Sequence, residues 1–322
     1  MASIVKGVLT ALALGMGITG IAADEFPSRT VRIIAPMAAG GRSDTAVRLI
    51  SESLGRQLGQ TVVVENRSGA GGVIGTEAAS RAQADGYTLV VSMASTFTII
   101  PAVKKASYDP TKDFVPLGQI WYAPQALVVR PQSSIKTVAE LVAYAKANPG
   151  KFSFASAGGG TTTHLSIVLL SREAGINVIH VPYRSGGQAV VDVLSGQVDA
   201  VFSDITALTP LINAGTLTAL AITAPQRSPL LPNTPTMAES GLPGVRTINW
   251  FGLHAPARTP PAVLERLKTA VRAAQMDPAY QASLAKNANT TGTVGAERFG
   301  EMVQEEAQRL APVVRSLGIS FD

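Results

Sequence analysis

Several loops in this chain share one chemical design: a short apolar strand, a run of small or hydroxyl-bearing residues, then a helix N-terminus. The first is Pro36-Met37-Ala38-Ala39-Gly40-Gly41-Arg42-Ser43-Asp44. The second is Ser156-Ala157-Gly158-Gly159-Gly160-Thr161-Thr162-Thr163-His164, and the third Pro182-Tyr183-Arg184-Ser185-Gly186-Gly187. Weaker versions occur at Ser92-Met93-Ala94-Ser95-Thr96 and Ser203-Asp204-Ile205-Thr206. Such loops suit anions. A helix N-terminus leaves backbone N–H groups unpaired and carries partial positive charge. Glycine lets a ligand approach the backbone, and Ser and Thr hydroxyls add donors. Any one glycine loop can equally be a plain turn. The case rests on several of them, because in open α/β sheets they gather at the carboxyl ends of the strands.

The candidate ligand contacts are therefore Ala38, Ala39, Gly40, Arg42, Ser43, Asp44, Ser92, Ser95, Thr96, Ser156, Thr161, Thr162, Thr163, His164, Tyr183, Arg184, Ser185 and Asp204. Asp204 has two readings, a helix cap or an acceptor for a ligand hydroxyl, amine or protonated carboxyl. Trp121, Tyr122, Trp250 and Phe251 either pack the core and hinge or wall the pocket. Met37 and Phe97 favour a ligand with a partly apolar body.

Other chemistries find no motif. G-x-x-x-x-G-K-[ST] is absent, and Gly69-Ala70-Gly71-Gly72-Val73-Ile74 ends in Ile where a dinucleotide fingerprint needs its last Gly. There is no G-x-S-x-G elbow and no H-E-x-x-H. His164, His180 and His254 lie far apart and lack metal-ligand spacing, so no metal site is expected. Zero cysteines exclude disulfides and thiolate chemistry. No catalytic residue and no cofactor are assigned.

The loops need elements to hold them. Strand patterns at 31–35, 61–65 and 87–92 alternate with helical patterns from about Ser43 and over 73–82. After Asp109-Pro110 and Pro116 the alternation restarts. Strands are expected at 127–129, 152–155, 178–181, 200–202 and 217–222, and helices at 138–147, 163–173, 188–194 and 208–214. A tail follows, with one strand at 251–255 and helices at 261–274, 278–288 and 296–317. Strand–helix alternation predicts a mainly parallel sheet covered on both faces. The 322 residues suffice for two lobes, each with its own core. The division expected is 1–23 leader, 24–122 lobe 1, 123–224 lobe 2, and 225–322 returning to lobe 1, with two chain crossings as a hinge.

Lys6, the apolar stretch Val8–Ile21 and the small pair Ala22–Ala23 read as a secretory signal cut after Ala22 or Ala23; a short membrane anchor is the alternative. The net charge of +5 is spread without a dense Lys/Arg run or interleaved aromatics. It biases the surface toward anionic ligands rather than nucleic acid.

Read together, FPSRTVRIIAPMAAGGRSD, VVVENRSGAGGVIGTEAASRAQADGYTL, ANPGKFSFASAGGGTTTHL, VIHVPYRSGGQAVVDVLSGQVDAVF and WFGLHAPARTPP resemble the solute receptors of tripartite tricarboxylate transporters, the Bordetella uptake gene type. The likeness spans nearly the whole mature chain. It implies a type II periplasmic-binding-protein fold, two α/β lobes with a ligand cleft between them. It implies carboxylate binding by the first strand–helix loop (Ala38, Ala39, Gly40, Ser43, Asp44), by the helix start at Thr161–His164 and by Tyr183, Arg184 and Ser185. Three departures stand out: Arg42 where the family has a small residue, Arg184-Ser185 for the usual Lys-Gly, and Asp204 where Asn is common. Arg42 either clamps a second carboxylate or points into solvent. The implied function is capture in the periplasm and delivery to large and small integral membrane subunits, by a monomer. The expected ligand is an aliphatic or aromatic dicarboxylate, with a monocarboxylate as the alternative. Rival functions are a ligand sensor for a signalling partner and a hydrolase using a cleft Ser with His164.

Overall fold

Apolar runs become strands close to where the alternation places them. The computed structural model describes residues 26–40, 42–103, 106–286 and 290–316; the leader and the anchor alternative over 1–23 lie outside the described residues. In chain order the elements are β1 (Val31–Ala35), α1 (Arg42–Leu58), β2 (Val62–Asn66), α2 (Val73–Ser80), β3 (Thr88–Met93), α3 (Ile100–Val103), β4 (Phe114–Val129), α4 (Val138–Ala147), β5 (Ser153–Ser156) and α5 (Thr162–Ala174). They continue with β6 (Ile179–Pro182), α6 (Gly186–Ser195), β7 (Ala200–Asp204), α7 (Ile205–Asn213), β8 (Thr218–Ile222), β9 (Ile248–Pro256), α8 (Pro261–Met276), α9 (Pro278–Lys286), β10 (Thr290–Thr291) and α10 (Ala296–Ser316).

The strands form two groups joined through β4. The first runs β2-β1-β3-β9-β4, parallel from β2 to β3, then antiparallel. The second runs β4-β7-β5-β6, with β8 also on β4. The first part of β4 lies between β9 and β10, and its end lies between β7 and β8. The sequence places only 127–129 in this strand, with Pro116 as a break. The structure corrects that to sixteen residues. Proline and glycine are absorbed as irregularities: the β4–β9 register shifts between Pro116 and Gly118, and again between Gln119 and Trp121. Bulges of this kind are where a strand tolerates a missing donor.

Each group has its own core on both faces. Val31, Ile33, Leu89, Trp121 and Leu253 pack under α1 and α8 through Val47, Ile50, Leu54 and Leu267. Leu127, Phe154 and Phe202 pack with Leu141 of α4 and Leu165 of α5. Ala126, Val128, Ala155 and Val201 meet α6 and α7 on the other face. Helix α10 belongs to both groups. Its Phe299 and Val303 join Phe97, Phe114 and Trp250. Leu310 and Val314, about two and three turns beyond Val303, join the Leu127–Phe154 core. Where the chain passes between groups, a buried polar knot forms. Gln125 N donates to Thr223 Oγ1 at 2.9 Å, Thr223 Oγ1 donates to Thr247 O at 2.6 Å, and Ser166 and Thr247 hydroxyls meet at 2.6 Å.

Candidate functional site

The first loop leaves β1 at Pro36, and Ala38, Ala39 and Gly40 are exposed. Gly40 has φ +84° with open space around its missing Cβ, so conformation, not crowding, calls for glycine there. Asp44, in the first turn of α1, is only 3% exposed. Its Oδ2 accepts from Gly40 N at 3.0 Å and Arg48 Nε at 2.9 Å, and its Oδ1 from Asn66 Nδ2 at 2.8 Å. Asn66 Nδ2 also donates to Met37 O at 3.2 Å. Burial opposes the charge on Asp44, but the bonds from Arg48, Gly40 and Asn66 outweigh it and hold the carboxyl below its ordinary pKa. Asp44 therefore braces the loop from inside. The sequence reading missed Arg48 and Asn66 as part of this brace. Arg48 lies one helical turn from Asp44, a spacing visible in the sequence; the Asn66 contact spans strands and had no local signal. The side chains of Arg42 and Ser43 lie outside the described residues.

Beside this loop, β3 ends at Met93 and a π-helical turn follows over Ser95–Ile99. Ser92 and Thr96 are fully buried behind the surface, and Ser95 is half-buried. Phe97 is also buried. It packs 4.6 Å from His254 and 5.3 Å from Phe114, ring centre to ring centre, so it belongs to the core and not to a ligand wall as expected. Trp121, Trp250 and Phe251 are likewise core residues.

In the second group, Thr161 caps α5. Its hydroxyl accepts from His164 N at 3.4 Å and donates to Gly158 O at 2.7 Å. Thr163 Oγ1 takes the Ala157 N–H at 3.0 Å, and Thr162 and Thr163 are buried. His164 Nδ1 accepts the Gly160 N–H at 3.2 Å, which places its ring proton on Nε2. The His164 ring stacks on His180 with centres 3.9 Å apart and planes within 5°. Desolvation, reinforced by the neighbouring imidazole, pulls the His164 pKa down to about 4, and burial lowers that of His180, so both are neutral at pH 7. His180 Nε2 is 2.7 Å from Ser156 Oγ. This Ser–His contact lacks the makings of a nucleophile: Ser156 is fully buried, and among the described residues no carboxylate orients His180.

The third loop touches the second. Tyr183 N donates to Ser156 O at 3.0 Å, and a Cβ on Gly158, where φ is +119°, would lie 3.3 Å from Tyr183 O. Ser185 caps α6 by accepting from Gln188 N at 3.4 Å. Tyr183 turns its hydroxyl to Asp192 Oδ2 at 2.6 Å, and that bond pushes its pKa up to about 12. Arg184 is exposed and makes no ion pair among the described residues. Asp204 precedes α7 but makes no side-chain cap; its Oδ2 accepts from Asn249 Nδ2 of β9 at 3.3 Å.

Two of these segments adjoin the crossing strands β4 and β9. Met93 at the end of β3 lies opposite Phe251, Asp204 at the end of β7 lies opposite Gln125, and Tyr122 pairs with Trp250 between them. The structure thus joins 156–164 to 183–185 directly and ties Asp204 to β9. Pro36 packs near Gly72, whose missing Cβ would also meet Met93 and Thr96, which links the 36–44 and 92–96 loops.

The comparisons agree with this architecture. A family profile described as tripartite tricarboxylate transporter family receptor matches residues 46–319. Protein BugT of Bordetella pertussis is 35% identical over 303 residues, covering 92% of this chain and 92% of BugT. The structure of an R. palustris protein with adipate is 31% identical at a TM-score of 0.81, covering 92% of this chain and 99% of that one. MatC from Rhodopseudomonas palustris with bound malate is 33% identical at a TM-score of 0.80, covering 90% and 100%. With a two-lobed α/β fold of the periplasmic-binding-protein kind and a profile match over most of its length, the chain belongs to the tripartite tricarboxylate transporter receptor family, whose members are solute receptors and not enzymes.

Proposed function

We propose that this protein captures a small dicarboxylate in the periplasm, after removal of residues 1–23, and passes it to the large and small membrane subunits of a tripartite transporter. The lobes are taken as 24–122 with 225–322, and 123–224. One carboxylate sits on the amides of Ala38 and Ala39 before α1, with Gly40, whose own N–H is held by Asp44, and Arg42 and Ser43 beside them. The other sits at the starts of α5 and α6, near Thr161–His164 and Tyr183–Ser185, with Arg184 as the counter-charge. Asp204 and the 92–96 segment border the cleft.

The observation that supports this most strongly is how the loops are braced. Asp44, Thr161, His164 and Ser185 spend their polar atoms holding the loop backbone. These bonds take the N–H groups of Gly40, Gly160, His164 and Gln188; the neighbouring backbone N–H groups of the same loops are then the donors proposed for an anion. Adipate and malate, seen in two relatives, are both dicarboxylates. A ligand touching both lobes favours the closed state by its extra contacts there.

A thermal-shift screen of aliphatic and aromatic mono- and dicarboxylates on the mature protein tests the reading. The expected result is selective stabilisation by one or a few dicarboxylates, about 2.7 kcal/mol at 100 times the dissociation constant. No stabilisation by any acid, or equal stabilisation by all, would overturn it.

A further inference from the structure

A cavity of about 410 Å³ lies away from the candidate loops, on the α10 side of the strand crossing. That volume falls in the range of small-molecule pockets, roughly 300–1,000 Å³. None of the candidate ligand contacts lines it. Three guanidiniums, Arg246, Arg298 and Arg309, face two carboxyls, Glu305 and Glu306. Their pairing is uneven. Arg298 is taken by Glu305 at 2.8 Å and Glu301 at 3.0 Å. Glu306 Oε2 is taken by Trp250 Nε1 at 2.6 Å and Thr98 Oγ1 at 3.3 Å. Arg246 and Arg309 are exposed in the cavity and have no ion pair among the described residues. They lie close enough for Arg246 to act on Arg309 and for both to act on Glu306.

We infer that this cavity is a second ligand site, built for an organic monocarboxylate with an aromatic or similarly apolar body, its head bridging Arg246 and Arg309. Planar guanidiniums match a carboxylate fork. The half-buried side chains of Tyr122, Ile248 and Met302 offer an apolar wall for the rest of the molecule. The nearby Glu305 and Glu306 argue against a second negative charge on the ligand, which separates this site from a dicarboxylate cleft. Tyr122 and Ile248 belong to β4 and β9 where these strands pass between the groups, so an occupant contacts the segment that relative movement of the lobes must bend.

4-Bromobenzoate is the probe. Crystals of the full mature chain soaked in it should give a bromine anomalous peak in the cavity beside Arg246 and Arg309. Calorimetry should show affinity falling about tenfold or more in R246Q/R309Q, as expected for losing charge-assisted bonds, and staying within about twofold in R184Q. R246Q alone, on an exposed loop residue, should show a partial loss and guards against misfolding of the double variant. Absence of bromine from the cavity, or unchanged affinity in well-folded R246Q and R246Q/R309Q, overturns the site. Dicarboxylate stabilisation in the thermal-shift screen should survive in R246Q/R309Q, so failure here and failure of the cleft reading are separate results.

Discussion

At the scale of single residues, the charged and polar groups of the candidate loops mostly look inward. Asp44→Ala removes the shared acceptor of Gly40 N, Arg48 and Asn66. It should cost about 1.5–3 kcal/mol in urea unfolding, the usual range for bonds to a charged group, and should weaken acid binding as well. The pKa of Asp44 is depressed, so its contribution is present above the unfolded-state value near 4 and is lost as pH falls through the lower folded value. His164 acts in a higher window. Its folded pKa is about 4 against an unfolded 6.5, so the unfolded chain binds more protons between those values. Stability should be full above about pH 6.5 and should decline toward pH 4, by on the order of 1–3 kcal/mol. His164→Asn keeps an acceptor for Gly160 N and should flatten much of that slope in pH-dependent unfolding; an unchanged slope would remove His164 from the account. The first-turn place of Asp44 was legible from a helix pattern starting at about Ser43, whereas the caps at Thr161 and Ser185 were not, because the apolar patterns of α5 and α6 begin only at 163 and 188. The pairing of His164 with His180 was not, because it spans two strands' worth of chain and depends on how β5 and β6 align.

At the scale of elements, the alternating pattern located most strands and helices to within a few residues, and α4 over Val138–Ala147 as it stands. Pattern failed where one strand serves two groups. Pro116, Gly118 and Pro124 interrupt the apolar run, yet β4 continues through them because its partners shift register around the first two. The span of α10 was legible, but its division between two cores was not, since an apolar stripe does not say what it packs against. Leu310→Ala should cost about 2–5 kcal/mol, as for other buried leucines, read by the shift of the unfolding midpoint. Gly158→Ala tests the contact between the second and third loops. It combines φ +119° with a 3.3 Å approach to Tyr183 O. It should lower acid affinity by displacing the 183–185 turn, whereas Gly40→Ala, with open space around it, should act through backbone strain of about 1–2 kcal/mol.

At the scale of the whole molecule, the ends of β3 and β7, one from each strand group, reach the crossing strands β9 and β4, and the family places that architecture among solute receptors. The resemblance was legible from the loops read in order. Ligand identity was not, because contacts made by backbone amides leave little trace in side-chain type. The central claim is that one acid is held by amides from both groups at once. Amide chemical shifts recorded while titrating the dicarboxylate that stabilises the protein most test it directly. The amides of Ala38 and Ala39 and those of Thr163, Arg184 and Ser185 should move together and saturate with a single dissociation constant. Movement confined to one of the two sets, or two unequal constants, would contradict it.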